Sequence, residues 1–116
     1  MKKQTERDED ILYRILDLCD RITEAKKRFG ESYDCFSTDP DYRDVIKMNL
    51  FQIGENANSL SEECRSELPQ IPWRQVIGMR NIIAHAYIRL DDEIVWNTAD
   101  NDIPAMIKTL NQKGIV

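Results

Sequence analysis

With 116 residues the chain has room for a single domain, residues 1–116, and one hydrophobic core, but not for two. No apolar run approaches the ~18 residues of a membrane span, and the opening MKKQTERDED is charged throughout, so a cytoplasmic protein with no export signal and no membrane contact is expected. The net charge of −5, from 21 acidic and 16 basic residues, argues against the uniformly basic surface of a general nucleic-acid binder.

From Ile11 the apolar residues recur as Ile11, Ile15, Leu18, Ile22, Ala25 and Phe29, in alternating steps of four and three, with Leu12, Leu16 and Cys19 widening the stripe. That spacing predicts an amphipathic helix stopped at Gly30. The stretch ESYDCFST reads as a short polar connection, after which Asp39-Pro40 supplies an N-cap and a proline at the first helical position. A second long helix is predicted from there to about Arg65. Its inner face would carry Val45 or Ile46, Leu50, Ile53, Ala57, Leu60 and Cys64, with Gly54 allowing a neighbouring backbone close.

Pro69 and Pro72 punctuate the next connection, and a third helix should begin near Trp73. Asp91 or Asp92 can cap a final helical region through Ile94, Val95, Ala99, Ile103, Met106, Ile107 and Leu110, which Pro104 should kink or divide. Strand alternation and internal repeats are absent. The expected fold is therefore all-α, an antiparallel up-and-down bundle of four helices, or five if Pro104 breaks the last.

Cys19, Cys35 and Cys64 are odd in number and widely spaced, and the single histidine cannot complete a metal site with them, so three reduced and mostly buried thiols are expected. Charge is distributed unevenly. Between Leu68 and Leu90 there is no Asp or Glu, while Arg74, Arg80 and Arg89 fall there, leaving −8 on the remainder. An anionic ligand would be drawn to this window; equally, a mostly buried helix would tolerate few carboxylates.

The window contains RNIIAHAY, with the only histidine, His85. On a wheel of about 100° per residue with Trp73 at zero, Val76, Ile77, Ile83, Ala84 and Tyr87 form an apolar stripe and Arg80 falls in its middle. A guanidinium there should meet a carboxylate, a phosphate or a solvent-filled cleft, or snorkel to a rim. Glu55, beside Gly54 on the facing helix, is a candidate carboxylate to hold it, the alternative being a plain solvated glutamate. His85 lies about 140° from Arg80, so one regular helix cannot aim both at one atom. Either the helix loosens near Ala84 or a second copy completes the site. Tyr87 returns to within about 20° of Arg80, about 10 Å along the axis, where the two side chains could lean together over one cleft.

Imidazole moves protons near neutral pH, and guanidinium stabilises a phosphate as charge builds on it. Together they suit phosphodiester cleavage in RNA without a metal or cofactor, because the neighbouring 2′-OH can serve as nucleophile. Base and acid cannot both be histidines of one protomer, but a twofold dimer would supply both. A solitary histidine near a helix end can also be a simple dipole partner.

The pattern Arg80, His85, Tyr87, with Asn81 after the arginine, resembles the signature of HEPN-domain proteins of the HepT-like toxin family. The stretches FQIGENANSLSEE, IPWRQVIGM and EIVWNTADNDIP are similar too, so the resemblance covers about residues 8 to 112. It implies a helical HEPN bundle, usually dimeric, with the motif lining an interface cleft. It further implies a metal-independent endoribonuclease of a HEPN–MNT toxin–antitoxin system, with Arg80 and His85 catalytic and Asn81 and Tyr87 orienting the RNA. The partner would be a minimal nucleotidyltransferase antitoxin that silences the site by transferring AMP to the Tyr87 hydroxyl. Two alternatives stand beside this: a non-catalytic nucleotide-binding subunit that presents a nucleotide or its own tyrosine to that partner, and a plain helical interaction module.

Overall fold

A computed structural model describes residues 3–116; Met1 and Lys2 of the charged opening stretch lie outside it. All regular structure among the described residues is helical: α1 (Gln4–Phe29), α2 (Tyr33–Ser37), α3 (Pro40–Ser59), α4 (Glu62–Ser66), α5 (Trp73–Ala86), α6 (Asp92–Asn97), a π-turn (Thr98–Asp102) and α7 (Ile103–Lys113). The sequence rules account for the long elements. On α1 the stripe Ile11, Leu12, Ile15, Leu16, Cys19, Ile22 and Ala25 is buried, and the helix stops at Gly30, whose φ of 119° only glycine adopts freely. Asp39 Oδ1 accepts from the N–H groups of Asp41 and Tyr42, opening α3 as its Asp-Pro start requires.

Helix α3 is central, with α1 and α5 packed on it and α7 packed on α1. Cross-links fix the directions. Asp8 near the start of α1 reaches Ser61 past the end of α3, whereas Tyr42 early in α3 donates to the carbonyl of Gly30 at 2.9 Å. Lys26 late in α1 pairs with Asp100 at 2.8 Å, in the π-turn that leads into α7. Neighbouring long helices therefore run antiparallel, as expected of an up-and-down bundle. Buried apolar side chains from every long helix join one cluster, closed at one end by Phe29, Phe36, Tyr42 and Trp96 with ring centroids 5.1–6.0 Å apart.

Three local expectations change. The supposed polar connector carries α2, because Ser32 Oγ accepts from Cys35 N–H at 3.2 Å and Phe36 has a core site to fill. The second helix does not reach Arg65. It ends at Ser59, and Leu60 turns extended (φ −69°, ψ 147°) because the buried Asp8 carboxylate takes both the Ser61 N–H (3.0 Å) and the Ser61 hydroxyl (2.6 Å), after which Ser61 caps α4. The last rod keeps a helical backbone from Asp92 to Lys113, and what divides it ahead of Pro104 is a π-turn rather than a break. That turn, closed by Ile103 N–H to Thr98 O, widens the backbone where the proline ring would otherwise strike the preceding turn.

No helix among the described residues is long and apolar enough to cross a membrane. All three thiols are free, with Cys19 and Cys64 buried and Cys35 exposed.

Candidate functional site

The RNIIAHAY segment forms the last two turns of α5 and its exit. Where α5 crosses α3, Gly54 makes the approach possible: a Cβ there would collide with Arg80 Cβ and lie 3.0 Å from the Val76 carbonyl oxygen. This contact sets the rotation of α5. Its buried side chains are Trp73, Val76, Met79 and Ile83, so the inward stripe is turned relative to the wheel reading. Met79 goes inside, Ala84 is exposed, and Arg80 stands about 45° from the centre of the stripe, at the rim and not in its middle.

At that rim Arg80 Nε donates to Glu55 Oε1, and Nη1 donates to Asn81 Oδ1 at 2.7 Å. The guanidinium and the carboxylate are 33% and 41% exposed, so the pair faces solvent rather than core. Nη2 has no acceptor among the described residues. The acid-free window of the chain is therefore not acid-free in space, since α3 brings Glu55 and Asp44 to it.

Helix α5 continues without a break through Ala86, with Tyr87 still helical in backbone (φ −46°, ψ −49°). Loosening near Ala84 is thus not how His85 could return to Arg80. The imidazole is exposed in the last turn, shares the outward face with Arg74, Gly78 and Asn81, and hydrogen-bonds to nothing among the described residues. Beside this face the exposed Ile82 and Ile94 border a groove of about 430 Å³ floored by Gly78 and Met79.

Tyr87 does not lean toward Arg80. Its hydroxyl donates to Asp44 Oδ1 at 2.7 Å, while Arg80 reaches Glu55. Those two carboxylates lie eleven residues apart on one face of α3, about 16 Å along its axis, so antiparallel packing draws the side chains apart. Lys47 holds the tyrosine from below: its Nζ donates to the Tyr87 carbonyl at 3.1 Å and sits 4.9 Å from the ring centroid. An open cleft of about 420 Å³ adjoins the ring, lined by Arg43, Asp44, Lys47, Tyr87 and Asp92 among others. Burial, the hydrogen bond to Asp44 and that carboxylate's charge together push the Tyr87 phenol up to about 12.

Arg43, Asp44 and Lys47 were not singled out by motif reading. The signal for Lys47 was present: it stands in helical register with Leu50, Gly54 and Ala57, a cation on an apolar stripe that must find partners. Asp44 had none, since only the packing of α5 brings a hydroxyl to it. Among the described residues no group of three or more His, Cys, Asp and Glu side chains is placed to hold a metal ion.

The chain matches the family described as Ribonuclease HepT-like over residues 8–112. It is 31% identical over 101 residues to "Putative RNase TTE0752" of Caldanaerobacter subterraneus subsp. tengcongensis, covering 87% of this chain and 88% of that one. It is 29% identical to "Putative RNase MJ1380" of Methanocaldococcus jannaschii (84% and 87% covered), and 30% identical to "Probable ribonuclease HepT" of Thermococcus cleftensis (64% and 67% covered). No solved structure gives a significant match.

Proposed function

This chain belongs to the HepT-like ribonuclease family, and on that premise we propose that it is a metal-independent endoribonuclease toxin of a HEPN–MNT pair, acting as a homodimer. The observation that carries the reading is the unbroken α5. A guanidinium anchored by Glu55 and an unpartnered imidazole are splayed by about 140° on one regular helix, so a single phosphate can meet both only if a second copy faces the first. The groove at Gly78, bordered by exposed Ile82 and Ile94 on the helix that carries His85, is a suitable seat for that copy.

In the dimer, one His85 takes the proton of the 2′-OH as it attacks phosphorus. The other gives a proton to the departing 5′ oxygen. Arg80, whose Nη2 has no acceptor among the described residues, stabilises the pentavalent phosphate. Glu55 fixes the guanidinium, while Asn81 and Tyr87 orient the RNA. The products carry 2′,3′-cyclic phosphate, and EDTA does not inhibit. A minimal nucleotidyltransferase antitoxin transfers AMP to Tyr87, adding a phosphodiester charge and a bulky nucleoside at the mouth of the site. The cleft beside the Tyr87 hydroxyl, with two cations in its lining, supports that assignment. The same cleft is what favours the second reading, a non-catalytic nucleotide-binding subunit.

A differentially tagged heterodimer with one wild-type and one His85→Ala subunit tests the shared site. If both imidazoles serve one phosphate, its RNA cleavage falls by at least about 10-fold, whereas self-contained sites would leave about half. Retention of half the activity overturns the dimeric site, and no cleavage by the wild-type dimer selects the nucleotide-binding subunit.

A further inference from the structure

The Tyr87 hydroxyl is held in place by its neighbours on α3. Asp44 Oδ1 accepts its proton at 2.7 Å, and Lys47, with a side chain only 6% exposed, clamps the same residue by ring and carbonyl. Three contacts therefore hold Tyr87, one of them on its phenol oxygen, at the edge of a cleft whose other charges are Arg43 and Lys47 from α3 and Asp92 from α6. Resting on the reading of Tyr87 as the acceptor of a nucleotidyl group, we propose that Asp44 is a catalytic residue of that modification: it aims the hydroxyl and takes its proton as the new bond forms.

The chemistry needs such a group. A phenol held in this cleft ionises only near 12, so a free phenolate is scarce at neutral pH, and an acceptor in contact removes the need for one. The Tyr87 oxygen attacks the α-phosphorus of a nucleoside triphosphate delivered by the nucleotidyltransferase, forming an O–P bond. The bond from that phosphorus to the bridging oxygen breaks, and its electron pair leaves on pyrophosphate. The phenolic proton passes to Asp44 Oδ1 and, because Asp44 is exposed, on to water. Tyrosine and nucleoside triphosphate become tyrosyl nucleotide, pyrophosphate and one proton. Arg43 and Lys47 offset the charge of the entering phosphate.

The test is single-turnover modification of the full-length chain by saturating nucleotidyltransferase and MgATP, followed by intact mass. Asp44→Asn keeps an oxygen acceptor for the hydroxyl but loses basicity. Its modification rate should fall by about 100-fold or more while its melting temperature and its affinity for the partner stay within error. Asp44→Ala should be equally slow and recover at least ten-fold on adding formate, which has no effect on the wild type. A wild-type chain modified at Tyr87 with Asn and Ala variants within three-fold of it overturns the role of Asp44 alone. A wild-type chain that is never modified overturns the acceptor reading and this inference together.

Discussion

Replacing Gly54 by alanine bears on both the fold and the site, since the glycine is where α3 and α5 touch. The added Cβ would overlap Arg80 Cβ and stand 3.0 Å from the Val76 carbonyl oxygen and 3.3 Å from Arg80 Cα. Two of these three atoms are backbone, so rotamer changes cannot relieve the overlap and the helices must separate by roughly 1 Å. Overpacking of this kind costs about 3 kcal/mol, and the better helix propensity of alanine returns about 1 kcal/mol. The net expectation is about 2 kcal/mol of destabilisation, or a fall in Tm of about 8 °C for a domain of this size. Separation also pulls Arg80 from Glu55, so RNA cleavage should drop with stability. Thermal unfolding followed by circular dichroism reads the first effect, with Asn58→Ala, an exposed position on the same helix, as control. The control gains only propensity and should rise by up to about 0.5 kcal/mol. A Gly54→Ala protein that melts at or above the wild-type temperature would refute close backbone packing at this crossing.

Two further expectations concern carboxylates. Burial pushes the Asp8 carboxyl up, but hydrogen bonds from Ser61 and Gln4, with the charge of Arg65, outweigh it and leave the group below its ordinary value. Its contribution is therefore fully present above the unfolded pKa of about 3.9 and is lost as pH falls through the lower folded value. Asp8→Asn should cost about 1–2 kcal/mol at pH 7 by urea unfolding, and the gap from wild type should close well below pH 4; a gap unchanged in acid would count against the capping role. Glu55→Gln should change stability by less than about 1 kcal/mol, because its pair with Arg80 is partly exposed. It should nevertheless slow RNA cleavage by about 10-fold by loosening the guanidinium, and wild-type cleavage would remove Glu55 from the site.

Periodicity along one chain made much of this protein legible in advance. The stripe from Ile11 to Ala25, the Asp39-Pro40 start and the Gly30 stop are local patterns, and local geometry dictates their outcome whatever the helices pack against. The same holds for the angle between Arg80 and His85, which follows from helical pitch alone. Relations between helices were another matter. A wheel gives angles relative to its own zero, while the azimuth at which α5 meets α3 is set by the Gly54 contact; that contact moved Arg80 to the rim and took Met79 inside. Ser61 looked helical until the carboxylate of Asp8, fifty-three residues away, captured its N–H and broke the rod. Tyr87 found Asp44 and Lys47 for the same reason. Residues distant in sequence acquire a separation and a shared dielectric only when antiparallel packing brings them within a few ångströms, and those partners decide what a motif residue can do.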